Sequence, residues 1–534
     1  MNISNTTSTD KPEDLLVTAE QLQKFVEQAA QDGMALYDTE KSVLATVLRM
    51  GFLAIDEFLK LQGNGDLGQT IQTEDGQTLL RSEQPKDRPL RTIFGEHTIT
   101  AYVYSPGPKK KIAFRPIDAR LNLPAGKGSY LWEEFSQYFC VEQAFAQSAH
   151  AMETVFGHRL SVDTLERTNQ RIGHEAGQFL DSLPVPPVEE EGELLVATAD
   201  GKGVPLIRKQ VEATPVHGPK PARPNNRRMA TVASVYSVDR YHRTPEDVVA
   251  ALFRDERPES DQKASRPKPC HKRMTACFPT LEDEGTEDEL EIRGDMHAWT
   301  WVAGQIETRR REDQVLIRLC DGQPSLWTSS DVCLGLDVQK EDQPDDAFEA
   351  APVVGDTLEE VRVVDILDIL HVLSYIWSAG RAFFSKDDVA VERFARQRLQ
   401  RILEGEVTGV IKGLRSMASR RNLRGERLQD VNKACNYFEN NVDRMRYSEY
   451  LEAGYPIASG VIEGACRHLV KDRMERTGMR WQQPSAGSML FVRALSVTDL
   501  WDDFQTHRQA AQQVILHPNR TLIENYAPTF SLAV

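Results

Sequence analysis

Three carboxylates sit where a backbone element of this 534-residue chain is expected to end and expose its side chain. Asp200 closes the apolar run LLVATA and is followed by Gly201, Lys202 and Gly203. Asp321 closes VLIRLC ahead of Gly322. Glu463 falls in the first turn of a helix expected to begin at Ser459-Gly460, in ASGVIEGACRHLVKDRME. Carboxylates at strand ends and on an adjoining helix can converge on divalent cations, and Mg²⁺ prefers oxygen ligands shared with water and substrate phosphate. Two such ions ~4 Å apart would activate the attacking oxygen and stabilise the leaving one in an in-line phosphoryl transfer. On spacing alone, a strand-end Asp-Gly is usually a plain turn.

Asp368 lies inside VVDILDILHVL, where apolar neighbours make a charge costly unless it is paired. His371, three residues on, shares a helical face with it and is the natural partner. The expectation is therefore Asp321 as the second ion ligand, with Asp368 and His371 orienting groups around it without touching metal. Exchange of the two aspartates is the alternative. Between Lys202 and Arg228 stand Lys202, Arg208, Lys209, Lys220, Arg223, Arg227 and Arg228 against the single acid Glu212. This run directly follows Asp200 and is expected beside scissile DNA if the three acids form a site. Arg467, His468, Lys471, Arg473, Arg476 and Arg480 follow Glu463 at helical intervals and are candidate phosphate contacts. Trp481 is expected in the core rather than stacked on a base. Cys270 and Cys277 have a poor metal spacing and are read as ordinary thiols, and His297 as structural.

The elements that must hold these residues can be outlined. Residues 1–16 are expected to form a disordered tail. Apolar positions three and four apart give two amphipathic helices between about 17 and 61, followed by a loop to residue 90. RTIFGEHTITAYVYS (91–105) alternates like a hairpin turning at Gly95-Glu96. Leu131 to Gly157 is helical, and a further helix is expected to start after Ser161, a good N-cap. Together these outline either a helix-turn-helix within 91–185, whose Arg167 and Gln170 would face bases, or two ordinary packed helices. SLPVPPVEEEGE (182–193) is the expected domain boundary. Strands are expected at 193–200, 228–238, 297–305 and 313–321, and 361–377 runs from strand into helix. The fold class is thus α/β, a mixed sheet behind a mainly helical N-terminal region. Residues 378–452 read as a helical insertion with Arg-rich faces, including Arg420 and Arg421. Residues 453–505 return to the sheet domain that opens at 190–377, and 506–534 read as a C-terminal tail.

Net charge is −16, yet 189–193, 281–292 and 337–349 together hold that entire excess, while 393–480 carry 18 basic against 11 acidic residues. Local surface, not the total, decides whether a phosphate backbone can bind. The absence of any run of 18 apolar residues argues against a membrane span. A polar N-terminus and seven scattered cysteines point to a reduced cytoplasmic setting.

TADGKGVPL, LCDGQPSLW, LDILHVLSYIW and above all YPIASGVIEGACRHLVKDRMERTGMRW resemble the ISKra-type insertion-sequence transposases of bacteria, over roughly residues 90–505. The resemblance implies a DDE enzyme with an RNase H-like catalytic fold. Asp200, Asp321 and Glu463 would be its metal-binding catalytic triad, and Asp368 with His371 its accessory D-x-x-H motif. It further implies Mg²⁺ as cofactor (two ions, with Mn²⁺ able to substitute) and double-stranded DNA as partner, both element ends and target. A homodimer or larger synaptic assembly at the bacterial nucleoid is implied as well. The DNA-contacting set would comprise Arg167, Gln170, Lys202, Arg208, Lys209, Arg227, Arg228, Arg420, Arg421, Arg467, Lys471 and Arg473. Relatives often carry paired cysteines near the N-terminal hairpin, whereas YVYSPGPKKKIAFRPID (102–118) has none and is expected to fold without metal. The alternatives are an RNase H-like nuclease without strand transfer, and an inactive DNA-binding regulator.

Overall fold

The computed structural model describes residues 14–157, 159–207, 227–255, 266–282, 290–312, 314–336, 363–384, 388–476 and 478–528. The chain forms two compact units: Met1–Arg171 with Trp501–Val534, and Ile172–Leu500. The division falls inside the helix Val162–Asp181, not at the Pro/Glu-rich segment after it. Among the described residues, no helix is long and apolar enough to cross a membrane.

In the first unit, helices Leu15–Gln31 and Leu36–Lys60 match the two amphipathic stretches, the first capped by the Asp14 side chain on Leu16 N. Residues 15 and 16 are thus helical rather than tail, and 1–13 lie outside the described residues. The hairpin pairs Lys86–Thr92 with Gly95–Ala101 in the register Thr92↔Gly95. Its turn is therefore Ile93-Phe94, two residues before the expected one, because the Phe94 ring packs tightly against Gly51 of the second helix. Helices Tyr130–Glu142 and Phe145–Phe156 come next. Gly157, at φ +74°, ends the latter in the left-handed conformation that a residue without Cβ adopts readily. Ser161 Oγ accepts from Thr164 N at 3.1 Å, the expected cap. The residues read as a tail form a helix, Trp501–Leu516, and a 3₁₀ turn, Arg520–Ile523. Trp501, Phe504 and Arg508 bury one face of that helix, a three-four spacing that the polar composition disguises. Arg508 and Arg171 both bond the Glu133 carboxylate at 2.5 Å.

The second unit is built on a five-stranded mixed sheet. In chain order its strands are β1 (Leu194–Pro205), β2 (Arg227–Val238), β3 (Cys270–Cys277), β4 (Val315–Cys320) and β5 (Val363–Leu367), with spatial order β5-β4-β1-β2-β3. The pairs β1–β2 and β2–β3 are antiparallel, and β1–β4 and β4–β5 are parallel. Parallel strands buried on both faces are mostly apolar, as are the start of β1, Leu194–Ala197, and β4 apart from Arg318. Val196, Ile317, Leu319 and Ile366 pack with Ile376, Phe394 and Leu399 on one face. Leu195, Ala197 and Leu316 pack with Trp299, Ile306 and Trp327 on the other. β3 is an addition to the expected strands. The expected strand at 297–305 is instead part of the helix Gly294–Arg309. Its tryptophans and valine favour strands, but Trp299, Val302 and Ile306 recur at helical spacing and bury against the sheet. Among the described residues, the expected insertion holds the helices Asp388–Leu403, Val407–Arg420, Gly425–Asn440 and Tyr447–Glu452.

Arg309 and Glu191 form a two-pronged ion pair at 2.9 and 3.1 Å, both side chains almost wholly buried. Removing one partner leaves an uncompensated buried charge. Arg309→Met is thus expected to cost about 3–5 kcal/mol, measurable as a lowered urea midpoint.

Candidate active site

The parallel register lines up three aspartates. β1 and β4 pair from Leu194↔Val315 to Ala197↔Arg318, and the same offset carried onward sets Asp200 beside Asp321. β4 and β5 pair up to Cys320↔Leu367, so Asp321 and Asp368 are the next residues, and Asp368 N donates to Cys320 O at 2.9 Å. Asp200 does not close its strand as expected, for β1 continues to Pro205 against β2. It lies where β1 outruns its pairing with β4.

Asp368 is fully buried. One carboxylate oxygen accepts from Leu370 N at 3.0 Å and Ser459 N at 3.1 Å, and the other from Ser459 Oγ. It thereby caps the helix Ile369–Phe384, which carries His371, and grips the residue preceding the helix Gly460–Ala465, which carries Glu463. The ligand atoms of Asp368, His371 and Glu463 all lie within 4.8 Å of one another. The His371 ring is 4.0 Å from Asp368 Oδ2.

Charge crowding marks the group. Burial raises the Asp200 carboxyl, and the Asp321 charge adds to the rise; a hydrogen bond with the Cys466 thiol, the Gly201 amide and His371 oppose it. Glu463 is open to solvent on one side, but partial burial still raises it, as do the charges of Asp368 and Asp200, with His371 opposing. Asp368 is raised by burial against the bonds from Ser459 and Leu370 and the charge of His371. Beyond Glu463 the helix widens into a π segment, Cys466–Lys471, a local feature frequent at functional sites. Asp321 Oδ1 accepts from Gln323 N at 2.9 Å, and Tyr437 Oη accepts from the following amide, Gly322 N.

The expected cationic residues divide. Arg467 and Lys471 are exposed on the Glu463 helix, and Lys202 is half-buried near Cys466. Arg473, read as a DNA contact, is fully buried with its guanidinium 4.7 Å over the Trp481 ring, so it is a core residue. Trp481 is in the core, as expected. Arg227 pairs with Glu475 at 2.5 Å and Arg228 with Glu291 at 3.4 Å. Arg208 and Lys209 lie outside the described residues. In the helical insertion Arg420 is exposed and bonds Ser416, while Arg421 donates to Phe383 O at 2.9 Å. Arg167, in the other unit, is exposed and pairs with Asp163 at 3.2 Å; Gln170 is half-buried.

Sequence reasoning misses Ser459 as a donor to Asp368, Cys466 as a neighbour of Asp200, and Tyr437 and Tyr375 near the Asp321 turn. Cys466 has a signal, since it lies about one helical turn beyond Glu463, where the exposed side of the helix meets its buried side. Tyr437 has none.

Three acids raised above their ordinary values mean that the folded chain retains protons the unfolded chain has already released. Their ionisation therefore opposes folding as pH rises through the raised values. Asp200→Asn is expected to raise the unfolding midpoint at neutral pH by about 2 °C, the gain shrinking as pH falls. Scanning calorimetry across pH checks both parts.

No protein-family model matches the chain, and comparison with curated proteins finds no match either. The functional reading rests on this geometry and on the sequence resemblance.

Proposed function

We propose that the protein is a DDE transposase of a bacterial insertion sequence, cleaving DNA at the element ends and joining them to target DNA. The observation that carries the reading is the register that aligns Asp200, Asp321 and Asp368, with Glu463 and His371 brought to the same strand ends. The strand order, with β1–β3 antiparallel and β4 and β5 parallel to β1, supports an RNase H-like catalytic domain. The helical insertion falls between the second and third acids, as the resemblance implies.

The donor set is of the kind Mg²⁺ prefers, carboxylate oxygens, and a hard divalent cation would relieve the raised proton affinity that burial first, and neighbouring carboxylates second, give Asp200 and Glu463. Asp200, Asp321 and Glu463 would hold the ions. When bound, these supply activation of the attacking oxygen and charge stabilisation on the leaving one. Asp368 keeps the His371 helix and the Glu463 helix in fixed relation through Leu370 and Ser459. Those donors leave part of its second oxygen open, and its ligand atom lies within 4.8 Å of those of His371 and Glu463, so Asp368 braces the site and is also the alternative to Asp321 as second ligand. His371 offsets the negative charge on Glu463 and Asp200. Arg467 and Lys471 offer phosphates an exposed cationic face on the same helix. Joining two ends calls for at least two chains in one assembly.

Incubating the purified protein with DNA carrying the flanking element ends, with and without Mg²⁺, tests the reading. Cleavage and then strand-transfer products are expected; cleavage alone would indicate a nuclease, and binding alone a regulator. Glu463→Gln should reduce cleavage by more than the roughly 10–100-fold expected on changing an outer partner such as His371, while DNA affinity is retained. Arg467→Ala and Lys471→Ala should each weaken DNA binding and lower its salt slope by about 1, measured by fluorescence anisotropy.

A further inference from the structure

The Asp321 turn is held at three points. Its carbonyl oxygen accepts from Trp327 Nε1 at 2.7 Å, and its Oδ1 from Gln323 N at 2.9 Å. The third is the Gly322 N–H, which donates to Tyr437 Oη at 3.1 Å. Tyr437 comes from the helix Gly425–Asn440 of the helical insertion, 115 residues further along the chain. Its ring stacks on Tyr375, with centroids 4.0 Å apart and planes at 21°. Tyr375 lies one helical turn beyond His371 on the helix that Asp368 caps. The approach to Gly322 is so close that a Cβ there would stand 2.4 Å from Tyr437 Cε2 and 2.8 Å from Cζ. Any larger residue would therefore drive the ring away. Burial and the nearby Asp321 charge keep the phenol protonated well above its ordinary range, so its oxygen remains a neutral hydroxyl that accepts from the amide.

We infer that Tyr437 is a positioning residue: by accepting from the Gly322 N–H it holds the Asp321 carboxylate in place for a divalent cation, and it couples that carboxylate to the helical insertion. The inference rests on the metal-ion reading above and extends it to a residue outside the acid set. A tyrosine that merely filled the core would need neither a glycine opposite it nor a bond to the amide after the acid. Because Tyr375 shares the His371 helix, the same ring fixes the spacing between the Asp321 turn and that helix.

The test is Mn²⁺ binding to the full-length protein, monitored by electron paramagnetic resonance of the free ion, with thermal unfolding on the same samples. Tyr437→Phe keeps the stacked ring and removes only the acceptor. It is expected to weaken Mn²⁺ binding roughly tenfold while lowering the unfolding midpoint by no more than about 2–4 °C. Gly322→Ala, which displaces the ring, should weaken binding at least as much, and it keeps the inference testable if Tyr437→Phe folds poorly. Wild-type Mn²⁺ affinity in either folded variant overturns the inference. If Asp321→Asn binds Mn²⁺ as the wild type does, the metal-ion reading at Asp321 fails and the inference falls with it. That outcome is distinct from one in which Asp321 matters and Tyr437 does not.

Discussion

An enclosed carboxylate is tolerable only where donors meet it, and the donors that meet Asp368 organise the rest of the site. Leu370 N begins the helix that carries His371, while Ser459 N and Oγ fix the residue from which the Glu463 helix departs. Glu463 N in turn bonds Ser459 O at 3.0 Å. One desolvated group thus joins the end of β5 to both neighbouring helices. The same strand is the sheet edge, where unpaired carbonyls invite unwanted pairing. Tyr450 Oη and Tyr447 Oη donate to Asp365 O and Leu367 O, each at 2.8 Å, so part of that edge is covered from the helical insertion.

The acids are assembled at an electrostatic cost. Burial raises Asp200, Asp368 and Glu463, neighbouring carboxylates add to the rise at Asp200 and Glu463, and the nearby His371 ring opposes it at all three. The remainder of the sheet is strongly consolidated around this tension. Arg318 on β4 meets its cross-strand partner Asp365 through two bonds of 2.6 Å, and Arg309 meets Glu191 in the core. Ion pairs in rigid, buried settings permit like charges to be crowded elsewhere, a trade of stability against function that many active sites make.

Much of this is legible in the sequence, and the parts that are not have physical causes. The apolar runs of β1, β4 and β5 stand out because parallel strands are buried on both faces. The acid directly after β4 is recognisable because it follows an apolar run and precedes a glycine, Asp368 because a charge among apolar neighbours needs a partner, and Ser161 because a cap has its own chemistry. The helix Gly294–Arg309 reads as a strand because Trp and Val carry strand propensity, which tertiary burial overrides. β3 is hidden because Cys270–Cys277 alternates poorly, with four consecutive buried residues from Arg273 to Ala276. The helix Trp501–Leu516 is masked by its polar composition. Tyr437 is unreadable for a different reason: its role depends on a contact across 115 residues, which no local pattern encodes.

Arg473 carries a sharper lesson, because local reasoning contains its own correction. Counting cations after Glu463 groups it with Arg467 and Lys471 as one cationic face. Positions 463, 467 and 471 advance by fours and stay exposed together. Residue 473 is only two beyond 471, and residues two apart do not share a helical face. The buried side of this helix runs instead through Cys466, Leu469, Val470, Arg473 and Met474. Arg473 can occupy it because the Trp481 ring accepts its guanidinium face-on, and Trp481 is anchored by Nε1 donating to Met474 O at 3.2 Å. Trp481 also bonds back to Pro205, at the far end of β1, through its own N–H at 3.1 Å. The arginine that looks like a DNA contact therefore helps tie the end of the Glu463 helix to the strand that carries Asp200. The exposed cationic face is left to Arg467 and Lys471, on the same side of the helix as the acid they would serve.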